Sequence, residues 1–170
     1  MSMQWLWWAP FVAALAHITE EFVYPGAFAK WERGRRPRFR DAIASRFHPL
    51  ANAVFIALCL RAGLAGTGSV SGLGGIPAEY NAAFWLFLVA LMFLHAVLHV
   101  EGSIRTQRAS PGLWTAVSLY VPLAIVGFWR FYSRGLAPAS IGILAALAWV
   151  SCRRWPFLFD TRHVGRAGLR

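Results

Sequence analysis

The chain has 170 residues, of which 58% are hydrophobic and 14% charged, and its net charge is +10. A soluble domain carries about a quarter of its residues as charged side chains, so this composition argues against a surface that faces only water. The basic residues sit mostly between and after the apolar runs, which argues against a nucleic-acid binder and for the anionic face of a membrane.

Read in chain order, the sequence predicts an all-α, polytopic transmembrane helix bundle in a single integral-membrane domain. About five spans are expected, at 5–23, 49–65, 80–100, 113–131 and 136–152, each near the length that crosses the hydrocarbon. The opening MSMQWLWWAP lacks the positive n-region of a signal peptide, so the first span is expected to be retained. Trp5, Trp7 and Trp8 read as an interfacial aromatic belt. A basic loop at 24–48 follows, with Lys30, Arg33, Arg35, Arg36, Arg38, Arg40 and Arg46. Span two contains Cys59, read as a packing residue, and Arg61, read as snorkelling to the surface. The connector GLAGTGSVSGLGGIP has a G-T-G but neither a preceding strand nor a following Lys-Ser/Thr, so it is read as flexible and not as a phosphate cradle. After span three come Arg105 and Arg108. Pro122 is expected to kink span four. The tail 153–170 holds Arg153, Arg154, Arg162, Arg166 and Arg170. With five spans, the positive-inside rule puts these basic segments in the cytoplasm, the N-terminus outside and the C-terminus inside. Arg130 and Arg134 lie on the other side. The bilayer, with anionic phospholipid at the basic loop and tail, is the expected partner, and nucleic acid is not.

Ionisable residues inside such spans are costly and call for partners. Span one carries His17, Glu20 and Glu21 near its inner end. His17 and Glu21 are four apart and His17 and Glu20 three, so both carboxylates can flank the imidazole. In span three His95 and His99 are four apart, a spacing that lets two imidazoles of one helix reach one ion. His48 and Asn52 repeat the spacing at the start of span two. All these positions fall in one layer near the cytoplasmic face. Two neighbouring carboxylates repel, which a proton or a cation relieves. The expected site is therefore a metal centre of His17, Glu20 or Glu21, His95 and His99, with His48 and Asn52 as further ligands or supports. Nitrogen and carboxylate donors suit zinc first, then iron or manganese. The plainer alternatives are solvated glutamates at a frayed helix end and histidines that hydrogen-bond across the bundle. Glu101 is read as a surface partner of Arg105.

These residues carry a resemblance. The run His17-Ile18-Thr19-Glu20-Glu21, followed later by His95-Ala96-Val97-Leu98-His99, resembles the HXXEE family of small prokaryotic membrane proteins. Asn52 is similar to an asparagine between the two motifs of that family. The resemblance implies a multi-pass protein of a prokaryotic cytoplasmic (inner) membrane, supports the site and leaves its chemistry open.

The resulting expectation is a metal-dependent membrane enzyme, hydrolase-like, acting on a lipid-like or membrane-borne substrate. Whichever of Glu20 and Glu21 is not a ligand would be its general base. The alternatives are a proton- or metal-coupled transporter, since His and Glu also build proton relays, and a non-catalytic membrane scaffold.

Overall fold

The structure is a computed structural model that describes residues 4–23, 27–35, 47–68 and 78–136. Among these residues every regular element is helical. They are α1 (Gln4–Val23), α2 (Ala27–Arg35), α3 (Phe47–Gly66), α4 (Ala78–Thr106), α5 (Leu113–Thr115) and α6 (Val121–Tyr132). A π-helical turn over Ala116–Tyr120 joins α5 to α6.

Packing follows from apolar spacing. In α1 the buried residues are Leu6, Pro10, Ala13, Ala14, His17 and Glu21, a three-and-four repeat that forms one stripe along the helix. Ala82, Trp85, Val89, Met92, Ala96 and His99 form the matching stripe on α4. The two stripes run in the same direction: Leu6 meets Trp85 at one end and His17 meets His95 and His99 at the other. Helix α3 runs against α1, with Gly66 beside Trp7 and Asn52 beside Glu21. The α5–α6 helix runs against α4, from the histidines at Gly112 to Trp85 at Gly127.

Trp85 anchors the end away from the histidines. Pro10 has no N–H, so the carbonyl of Leu6 lacks its usual partner four residues on. Trp85 Nε1 donates to that oxygen at 3.1 Å. The indole is fully buried and stacks near Phe131, with ring centroids 4.9 Å apart. Gly127 admits this contact, because a Cβ there would overlap the indole ring.

Three helices are long and apolar enough to cross a membrane: Pro49–Gly66, Tyr80–Thr106 and Leu113–Tyr132. The expected span at 5–23 forms the 20-residue helix α1 but does not join them. Gln4, His17, Thr19, Glu20 and Glu21 dilute its apolar content. The expected span at 136–152 lies outside the described residues beyond Leu136, as do the tail 153–170 and residues 36–46 of the basic loop. The count of five spans therefore reduces to three among the described residues. The outside and inside assignment of the termini, which depended on that count, loses its support.

Local details also differ from the sequence reading. Residues 63–66 of the expected glycine-rich connector continue α3. Part of the basic loop is helical, as α2. Helix α4 extends beyond its apolar stretch to Thr106, and Glu101 there meets Arg105 at 2.6 Å. Arg61 lays its guanidinium over the ring of Phe84, 4.6 Å from the centroid, a cation–π contact. Near Pro122 the helix widens into the π turn. Cys59 is buried in the core.

Replacing Trp85 with Phe keeps most of the apolar volume but strands the Leu6 carbonyl. Trp85→Phe is expected to destabilise the detergent-solubilised protein by about 1–3 kcal/mol, the cost of a buried unpaired polar group. Thermal unfolding followed by circular dichroism checks this, and an unchanged midpoint would deny the bond any stabilising role.

Candidate metal centre

The α1 stripe ends in two polar residues, His17 and Glu21, one turn apart on the buried face. The α4 stripe reaches the same level at His95 and His99. The two helices run side by side, so the four side chains converge. Glu21 Oε1 lies 3.4 Å from His17 Nε2, 3.5 Å from His99 Nε2 and 3.6 Å from His95 Nε2. The Nε2 atoms of His95 and His99 are 3.0 Å apart. One donor atom from each of the four residues lies within 4.8 Å of all the others.

Those separations can be compared with a coordination shell. Tetrahedral zinc with bonds of about 2.0–2.1 Å holds its ligand atoms about 3.3–3.4 Å apart. One carboxylate oxygen nearly equidistant from three imidazole nitrogens is close to that shape. His17, Glu21 and His99 are 2%, 1% and 1% exposed, whereas His95 is 36% exposed. His17 Nε2 is buried without a hydrogen-bond partner in the structure. A ring nitrogen so placed, facing a carboxylate, suits a cation or a shared proton between them. The residues present therefore fit a divalent metal, with His17, Glu21, His95 and His99 as its holders.

The two glutamates part company. Glu21 follows His17 on the buried face, and its Oε2 accepts from Asn52 Nδ2 at 3.4 Å. Glu20 points toward α5. Gly112 caps that helix with no side-chain hydrogen bond, and Glu20 supplies the missing acceptor. Its Oε2 accepts from the Thr115 N–H at 2.8 Å and its Oε1 from the Trp114 N–H at 3.3 Å. This is the work of an N-cap side chain, done from another helix. The Thr115 hydroxyl also donates to Glu20 Oε2 at 2.5 Å. His48 lies in the first turn of α3, and its side chain falls outside the described residues.

The structure also brings in residues that the sequence reading missed. Thr115 Oγ1 lies 3.0 Å from His17 Nδ1, and Ser110 Oγ lies 2.9 Å from His99 Nδ1. Tyr120 packs its buried ring against His17, with centroids 4.7 Å apart. In an α-helix residues five apart diverge by about 140°, so Thr115 and Tyr120 could not both face His17. The intervening π turn brings positions i and i+5 into line. Phe28 of α2 covers the histidines from outside, 5.2 Å from His99 and 6.2 Å from His95 between ring centroids. Gly112 closes another side. Its φ is +86°, and a Cβ there would come within 2.7 Å of His17 Cε1 and 3.1 Å of His99 Cε1. The Pro111-Gly112 pair was a visible turn signal, but nothing local told where the turn would land.

A family model described as a protein of unknown function with an HXXEE motif matches residues 8–127. The chain belongs to the HXXEE family. No curated protein and no solved structure matches it. In this member of the HXXEE family the motif divides its labour by helical phase. His17 and Glu21, four apart, turn into the cluster, while Glu20 turns to the start of α5.

Gly112→Ala should harm the protein in two ways. The left-handed backbone costs an L-residue about 1–2 kcal/mol, and the new methyl must also displace the His17 ring. Gly68 has a similar φ of +70° with nothing within 4 Å of its would-be Cβ, so Gly68→Ala carries the backbone cost alone. Unfolding midpoints should fall further for Gly112→Ala than for Gly68→Ala. Equal shifts would show that the close approach to the histidines is unimportant.

Proposed function

We propose that this HXXEE protein is a helical membrane protein that holds one divalent metal, zinc first and iron or manganese next, between His17, Glu21, His95 and His99. The near-equal spacing of the three imidazole nitrogens about Glu21 Oε1 carries this reading. Membrane residence is supported by the three long apolar helices. It is also supported by exposed aromatics, with Trp5, Tyr80, Trp129 and Tyr132 at one end of the bundle and Trp114 at the other. The proposed location is a prokaryotic cytoplasmic membrane, with anionic phospholipid at the basic segments.

The centre is asymmetric, and the asymmetry favours metal-dependent catalysis. Three holders are buried, and His95 lies at the open edge. A catalytic zinc site keeps one position for water or substrate beside three protein donors, and the His95 side is where that position would be. Zinc held there would acidify a bound water and polarise a carbonyl or phosphoryl oxygen. Glu20, expected as a general base, already accepts from two backbone N–H groups and a hydroxyl. That leaves the substrate end to His95 and the aromatic wall at Phe28. The substrate class we propose is lipid-like or membrane-borne, and the reaction hydrolytic. A second reading has its own observation: four protein donors complete a tetrahedron, as structural zinc sites do, which would make the metal a staple in a non-catalytic scaffold.

Protein purified in detergent after growth in zinc should carry about one metal per chain. His99→Ala and Glu21→Gln should weaken binding by at least the roughly 10–100-fold seen for outer-shell losses at such sites. X-ray absorption at the zinc edge separates the two readings by imidazole count, since three imidazoles in a four-coordinate shell indicate the scaffold, and two, or a fifth donor, indicate the open His95 side of the enzyme. Metal-free protein from a zinc-replete preparation, correctly folded, would end the proposal.

A further inference from the structure

The proposed metal centre needs unprotonated nitrogens facing inward, and a neutral imidazole offers either ring nitrogen as the bare one. Which nitrogen carries the proton is set by the partner of the other. Behind His17 that partner is Thr115 Oγ1, 3.0 Å from Nδ1. The Thr115 hydroxyl has a single proton, and it lies 2.5 Å from Glu20 Oε2. Two backbone N–H groups also point at the Glu20 carboxylate, which favours its acceptor-only form. The hydroxyl proton therefore goes to Glu20. The hydroxyl oxygen is left to accept, so His17 must donate from Nδ1–H. Its bare nitrogen is then Nε2, the atom 3.4 Å from Glu21 Oε1.

Behind His99 the hydroxyl is that of Ser110, and its acceptor is a carbonyl instead of a carboxylate. That hydroxyl lies 2.9 Å from His99 Nδ1 and donates to the His99 carbonyl at 3.3 Å. Ser103 Oγ donates to that same carbonyl at 2.7 Å and accepts from the Ser110 N–H at 2.9 Å. With its own proton on the carbonyl, the Ser110 oxygen is free to accept from His99 Nδ1–H, which leaves Nε2 as the bare atom facing the centre. Both hydroxyls come from the short segment 110–115, folded against the site by Gly112.

We propose that Glu20, Thr115 and Ser110 are positioning residues that fix His17 and His99 in the Nδ1–H tautomer, so that both present Nε2 to the metal. Glu20 acts through Thr115 and holds no metal itself. This rests on the metal reading for its purpose but not for its structural content. The Glu20–Thr115 geometry sets the His17 tautomer with or without an ion, and the Ser110 bond to the carbonyl supports the same tautomer at His99.

The test uses full-length protein with 15N-labelled histidine in detergent micelles. Nitrogen NMR of the metal-free wild type should show His17 and His99 protonated at Nδ1. A bare Nδ1 at His17 overturns the proposal without recourse to any variant. Thr115→Val and Ser110→Ala should each let the corresponding ring take up the other tautomer, and zinc affinity by chelator competition should fall about 10–100-fold. Thr115→Ser keeps the hydroxyl and should restore both readouts. Glu20→Gln should weaken zinc while leaving the X-ray absorption donor count unchanged, and loss of one oxygen donor would make Glu20 a ligand and sink its assigned role. If wild type binds no zinc but shows the Nδ1–H signature, the metal reading fails and the tautomer assignment stands. If zinc binds and Thr115→Val changes neither readout, the tautomer assignment fails alone.

Discussion

A single carboxylate oxygen at the end of a buried apolar stripe constrains much of this structure. Glu21 is 1% exposed, and a charge so placed must be matched or neutralised, because desolvation is expensive. Three imidazole nitrogens surround Oε1, placed to share a cation with it, and Asn52 donates to Oε2. Those partners come from α1, α3 and α4. Satisfying Glu21 therefore fixes the register of three helices at once, whereas apolar packing alone tolerates slippage by a turn. Polar residues buried among apolar helices serve as such register marks in some helical assemblies.

The opposite end of the bundle solves a similar problem with different chemistry. There the orphan is a backbone carbonyl, freed by Pro10, and the partner is an indole N–H. Trp85 then collects Trp7, Phe131 and the bare face of Gly127 around it. The helices are pinned at both ends by hydrogen bonds that have no local alternative. Between the pins lie small and branched residues such as Ala13, Ala14, Val89 and Ala96, which let backbones approach closely.

What the sequence could reveal depended on distance along the chain. The pairs His17–Glu21 and His95–His99 lie within single helices, so periodicity alone showed that each shares a face. The matched level of the two pairs followed from counting residues along parallel helices. Thr115 and Tyr120 escaped notice because ordinary helix residues look the same whether or not they meet an imidazole about a hundred positions away, and Ser110 because nothing in the chain shows that its turn folds back onto His99. The π turn was equally hidden, since it shifts helical phase without a distinctive residue, Pro122 apart. The division between Glu20 and Glu21 was undecidable from spacing, because i+3 and i+4 both lie near His17. It is decided by what packs on each side: α4 faces Glu21, and the uncapped start of α5 faces Glu20. The first span falls short of the apolar candidates for a related reason, as the polar residues that place α1 at the cluster also lower its apolar content.

The donors differ in how firmly they are held, and that difference bears on chemistry. His17 and His99 each have a hydroxyl behind Nδ1 and a wall in front, Gly112 for both and Tyr120 for His17. Glu21 is buried and accepts from Asn52 through Oε2. His95 has neither device among the described residues: its hydrogen bond is to His99 through Nε2, and its outer face is partly open beneath Phe28. A ring with fewer restraints can turn at smaller energetic cost. With a metal between them, three preorganised donors and one adjustable donor would let the proposed centre change its coordination without disturbing the helices. A purely structural staple gains nothing from such looseness, since every loose ligand lowers its affinity. For the proposed metal centre, the uneven restraint favours the enzyme reading over the scaffold, with His95 at its open edge.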